Sequence, residues 1–158
     1  MERRPSLLNG MFRHVQLAAA QRRDMDLVNG AAALLDGFGK SPPSPDVAQG
    51  RSDVCTGRLT GVPCPHNYQG FWRITEQAGR VLHAQREKKL ELSLKTEGED
   101  KLGQCRLCNC PLLLKVWYDW ETIYNHTTDE TFAKIRLNKP DCWLVTELDA
   151  MIKELDKK

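Results

Sequence analysis

Long apolar runs are missing from this 158-residue chain. Nothing approaches the roughly 20 consecutive apolar residues of a membrane helix, and the longest candidate covers only residues 31–35. A soluble protein is expected. Charge of one sign is missing too: 23 basic residues face 21 acidic ones for a net charge of +2, so no overall field argues for nucleic acid. A secretory apolar block is lacking, because Leu7, Leu8, Met11 and Phe12 are interrupted by Asn9, Gly10, Arg13 and His14, and export by that route is not expected. Aromatic residues are scarce at 7%, which leaves material for a thin core. The length suits one compact domain with a tail and excludes a large multidomain enzyme.

What is present divides into three segments. In residues 1–36, Leu7, Leu8, Met11, Val15 and Ala18 recur on one face, and Met25, Val28, Ala32 and Leu35 do so again, which predicts an N-terminal helical arm. Five arginines against Glu2 alone in the first 23 residues make this arm locally basic. A Pro/Gly-rich linker follows over 37–50, since Gly37, Gly39, Pro42, Pro43 and Pro45 oppose a continuing helix. The remainder, 51–158, holds all six cysteines and all four tryptophans, Trp72, Trp117, Trp120 and Trp143. Within it, Ile74, Ala78, Val81, Leu82 and Gln85 predict an amphipathic helix over 72–89, with Arg86 on its polar surface. Leu90, Leu92 and Leu94 alternate with polar residues as in a short strand, with a continued helix as the competitor. The apolar run 112–117 suits a second strand. Thr127-Thr-Asp-Glu130 matches a capping box and should start a helix that ends before Pro140. Leu144, Leu148, Met151 and Leu155 predict a terminal amphipathic helix whose stripe covers the domain's own core. The expected class is α+β, mainly helical, with short strands near the cysteines.

The cysteines fall as Cys55-x8-Cys64, Cys105-x2-Cys108-x-Cys110 and Cys142. Two thiolates two residues apart on a tight turn can face one centre at the zinc–sulfur distance of about 2.3 Å, and Gly103, Asn109 and Pro111 supply the turn residues. All six are therefore candidate metal ligands. Cys55 and Cys64 are the natural partners of Cys105 and Cys108. Cys110 and Cys142 could then complete half of a second site with His66 or His126, or share bridging sulfurs, so one or two zinc ions remain open. An iron–sulfur cluster is a minor alternative, as its usual compact cysteine run is absent. A structural zinc contributes on the order of 10 kcal/mol, enough to fold so thin a core. His14 and His83 are expected on helix surfaces, and His126 is expected to bond locally. Asp119, Glu121, Asp129, Glu130 and Asp141 form no recognisable catalytic pair, and no phosphate loop or nucleophile elbow occurs, so no enzymatic activity is expected.

The succession Arg51-x3-Cys55, Cys64-Pro-His-Asn67, Trp72, Cys105-x2-Cys108-x-Cys110-x4-Lys115 and Cys142-Trp143 resembles small cysteine-rich proteins of tailed bacteriophages and prophages. The likeness runs from Arg51 to Glu147 and departs at the first pair, which has eight intervening residues instead of two. That departure leaves open whether Cys55 and Cys64 share an ion. The resemblance implies metal binding and a phage origin, and no activity. The resulting expectation is a zinc-stabilised structural or assembly protein of a virion, located there or in the host cytoplasm. It would contact other phage structural proteins or itself. The alternative is a zinc module that binds nucleic acid or a host protein as a regulator.

Overall fold

The computed structural model describes residues 36–69 and 73–157. The predicted arm up to residue 35, with His14, and also Trp72, lie outside the described residues. What is described is mainly helical, with two short antiparallel strands beside the cysteine knuckle. Helix α1 (Pro45–Thr56) starts where the linker was expected to continue. Ser44 accepts the Val47 N–H and Pro45 takes the first helical position, where its missing amide costs nothing. Gly57 ends the helix in the left-handed conformation at φ 68°. The preceding residues also pack on the domain: the Lys40 carbonyl accepts from Arg86 at 3.1 Å.

Strand β1 (Asn67–Tyr68) pairs with β2 (Gln104–Cys105), placing Asn67 opposite Cys105 and Tyr68 opposite Gln104. Gly103 sits where the ribbon is tightest, since a Cβ there would lie 2.2 Å from the Tyr68 carbonyl oxygen. Helix α2 (Arg73–Leu90) lies between the strands in sequence and carries Lys88 and Lys89 in its last turn, complementing the helix dipole. Glu91 ends it at φ 53°, and the expected strand over 90–94 does not form. The Leu94 amide instead donates to the Glu87 carboxylate at 2.8 Å, which lets Leu94 drop into the core while Leu92 stays exposed.

The expected strand over 112–117 is also absent. Helix α3 (Leu112–Lys115) replaces it, and every residue from Leu112 to Tyr118 is buried. A short run buried on all sides has no period by which helix and strand can be told apart. Helices α4 (Trp120–Asn125) and α5 (Asp129–Asn138) open on Asp119 and Thr128, whose side chains accept from Thr122 N–H and Thr131 N–H. Helix α6 (Trp143–Leu155) buries Trp143, Leu144 and Val145. Its stripe covers the core only in part, because Leu148 is partly buried whereas Met151 and Leu155 are exposed.

Two buried arginines close the centre. Beyond α3, the carbonyls of Val116 and Tyr118 accept from Arg51 at 3.1 and 2.7 Å, and that of Trp117 accepts from Arg86 at 2.9 Å. Arg51 also pairs through two nitrogens with Glu147, at 2.7 Å each, and stacks on Trp143. The inward face of α2 is therefore turned from its expected position: Gly79, Leu82, His83 and Arg86 are buried and Val81 is exposed. Arg86 and His83 count as polar in a periodicity argument, yet one supplies donors that buried carbonyls need. His83 is buried, not on the surface as expected, and burial holds its pKa below the ordinary value. His126 bonds to the distant Asp36 at 3.0 Å instead of locally.

Candidate metal centre

Cys55, at the end of α1, and Cys64 are brought together despite their eight-residue separation. The Cys64 N–H donates to the Cys55 carbonyl at 3.1 Å, closing residues 56–63 into a ring. Gly57 permits this closure: a Cβ on it would lie 2.2 Å from the Val62 carbonyl carbon. Asn67 braces the ring, donating to the carbonyls of Cys55 and Lys101 at 3.2 and 2.9 Å and accepting the Gly103 N–H at 2.9 Å. The first cysteine pair is thus tied directly to the strand that leads into the second group.

In that second group the Asn109 N–H donates to the Cys105 carbonyl at 2.7 Å and the Cys105 N–H to the Cys110 carbonyl at 3.0 Å. Asn109 takes φ 54°, a left-handed turn position that asparagine tolerates. The Arg106 N–H donates to the His66 carbonyl at 2.8 Å, so the backbone of His66 links the two cysteine loops. Cys142 stands at the N-terminus of α6. Its sulfur makes no capping bond, but the nearby Leu144 N–H favours its ionised form.

All six sequence-predicted cysteines gather on this side of the fold, and none is in a disulfide. Cys55 feels the charges of Cys142, Cys64 and Cys108, and Cys142 those of Cys108 and Cys64. Burial pushes Cys55 up to about 12, opposed by the Trp143 side chain, which hydrogen-bonds its sulfur. Burial likewise pushes Cys142 up to about 11. Cys108 moves the other way. Hydrogen bonds from Cys105 and Cys110, with Lys115 beside it, hold it well below the ordinary thiol value, while Cys105, as donor to Cys108, is held well above.

Lys115 belongs to the motif that carries the resemblance, where it was given no role. It is 3% exposed, and its Nζ donates to the Cys108 sulfur at 3.1 Å. Burial works against its charge, but the sulfurs of Cys108, Cys110 and Cys105 outweigh that cost and keep it protonated. A buried ammonium requires an anion, and the anion here is sulfur. The signal in the sequence was a single cation inside the apolar run Leu112-Leu-Leu-Lys-Val-Trp117.

Among the described residues, no group of three or more histidine, cysteine, aspartate or glutamate side chains is already spaced to close on an ion. The cysteines around Cys108 instead share hydrogen bonds. Their chemistry nonetheless suits a soft divalent metal: sulfur donors wholly or partly shielded from solvent, one of which, Cys108, is held ionised by hydrogen bonds and the Lys115 ammonium. The His126 ring is paired with Asp36 at 3.0 Å. Among the described residues no helix is long and apolar enough to cross a membrane. No protein-family model, curated protein or solved structure matches the chain.

Proposed function

We propose that this protein is a zinc-stapled, non-enzymatic module that makes protein–protein contacts in a phage particle or its assembly. The observation that carries the metal part is the convergence of cysteines from four places in the chain, the end of α1, the following loop, the knuckle and the start of α6, on one region in which Cys55 and Cys108 are buried and the other four half-buried. Sulfur ligands without an open histidine or carboxylate position suit a structural site and not a catalytic one. The virion part is supported by the sequence resemblance, and by exposed apolar side chains such as Leu59, Val62, Leu137 and Leu155 that can serve contacts with other subunits or with a second copy.

The test is mass spectrometry of intact particles together with chromatography on immobilised DNA. The reading expects the chain in purified particles and no salt-dependent retention on DNA. Absence from particles, with retention that falls steeply as salt rises, would instead favour the nucleic-acid-binding regulator.

A further inference from the structure

We propose that residues 91–98 form a strap across α2 that acid releases, with His83 as the group that takes up the proton. The segment runs without helix or strand between two left-handed backbone positions, Glu91 at φ 53° and Gly98 at φ 76°. Glycine takes that conformation freely, whereas glutamate keeps it only where its surroundings hold it there. The device uses none of the cysteines and does not rest on the metal reading.

Two sets of contacts hold the strap down. At its middle, Leu94 is 1% exposed in the core, and its N–H donates to the Glu87 carboxylate at 2.8 Å. Beyond Leu94, the Thr96 hydroxyl donates to the Ser52 hydroxyl at 3.3 Å. Glu97 exchanges bonds with the Gln49 side chain, its N–H donating at 2.7 Å and its carbonyl accepting at 3.3 Å, and its carboxylate accepts from Arg58 at 2.8 Å. The strap therefore ties α2 to α1 and to the loop that follows α1.

His83 lies on α2 beside the Leu94 backbone. It is 6% exposed, and its Nε2 is buried with no hydrogen-bond partner. With the proton of the neutral ring on Nδ1, which faces Glu87 at 3.9 Å, Nε2 carries only a lone pair. A second proton would put a charged N–H where nothing accepts it. Three charged groups face the ring: Arg86 and Glu87 on α2 itself, and Glu99 from the helical turn Glu99–Lys101 that follows the strap. Burial holds the ring neutral; it outweighs the two carboxylates, which favour the imidazolium, and Arg86 acts in the same sense as burial. Opening accommodates the proton, because with Leu94 lifted the ring reaches water and recovers an ordinary pKa near 6.5. The open form binds the extra proton, so the strap is held down above that range and loosens as pH falls below it.

Amide hydrogen exchange of the full chain, followed residue by residue by NMR across this pH range, reads the opening. Between about pH 7.5 and about pH 5.5 the protection factor of the Leu94 amide should fall about 10-fold, the factor by which a ring of ordinary pKa gains protons in the open form. The Thr96 and Glu97 amides should follow it. His83→Gln, which takes up no proton there, should keep protection constant. Protection that stays level in the unaltered chain, or a fall that persists in His83→Gln, would overturn the proposal. Should His83→Gln fail to fold, the pH course in the unaltered chain decides. A fall that begins near pH 6.5 and is confined to the strap supports the device, whereas one that begins only in the carboxylate range, or that α5 and α6 share, overturns it.

Discussion

Around Val116–Tyr118, three consecutive buried carbonyls each accept from a guanidinium of Arg51 or Arg86, and Arg51 is balanced in turn by Glu147. A few residues earlier, around Cys108, the buried polar atoms are sulfurs whose partners are one ammonium and one another. The carbonyls of the first region find their donors within the chain, on α1 and α2, with Glu147 of α6 balancing Arg51. The second has six cysteines and one lysine, so it has capacity for anionic charge that its own cation does not use. Both lie in one fold, yet the first draws its partners from the chain itself, whereas the second is the region we propose a metal completes.

The largest effect expected from this difference is that of metal removal. Chelation should abolish stabilisation on the order of 10 kcal/mol, with amide-exchange protection lost first from the Cys55–Cys64 loop, β1, β2 and the knuckle. Equal loss across α3, α5 and α6 from the outset would break the distinction between the regions. Next comes Arg51→Met, which strands Glu147 and the carbonyls of Val116 and Tyr118. A cost of about 3–5 kcal/mol in urea denaturation is expected, as for breaking a buried ion pair, with metal content unchanged in the fraction that remains folded. Loss of metal at equal folded fraction would show the regions to be inseparable.

The sulfur region was legible in outline because cysteine spacing is a chemical signal that survives without the fold. The six residues were named and short strands were expected near the knuckle, but the strands that form are Asn67–Tyr68 and Gln104–Cys105 and not the segments 90–94 and 112–117. Their arrangement was not legible: the tie between Cys55 and Cys64 depends on a left-handed Gly57 and on Asn67 reaching three backbone groups, which spacing does not encode. The carbonyl region was nearly invisible. Arg51 and Arg86 reduce the amphipathic signal of α1 and α2 because a buried cation looks like a surface residue until its acceptors are known. Helix α3 was read as a strand for a related reason, burial on every side. The start of α5 was read to within a residue, the cap being Thr128 and not the Thr127 of the expected box, and the extent of α6 was read well, since caps and the Leu144, Leu148 stripe act locally.

Smaller effects sharpen the same contrast. Ile135, 0% exposed in the core, should cost about 2–5 kcal/mol on truncation to alanine, measured by denaturation, and should do so equally with and without metal. Asp53 is held below the ordinary carboxylate range chiefly by hydrogen bonds from Arg58. A depressed carboxylate stabilises the fold above the ordinary carboxylate range and loses that contribution as pH falls through its lowered value. Asp53→Asn should therefore lower the melting temperature by no more than about 4 °C at neutral pH, with the gap to the unaltered protein closing in acid. A gap that persists below the carboxylate range would assign the loss to packing.

The most direct test is X-ray absorption at the zinc edge on the protein as purified. The account predicts stoichiometric zinc with a first shell made of sulfur alone, at about 2.3 Å. A shell containing oxygen or nitrogen ligands, or a protein that carries no zinc and folds as well without it, would contradict the claim that these cysteines are completed by a metal.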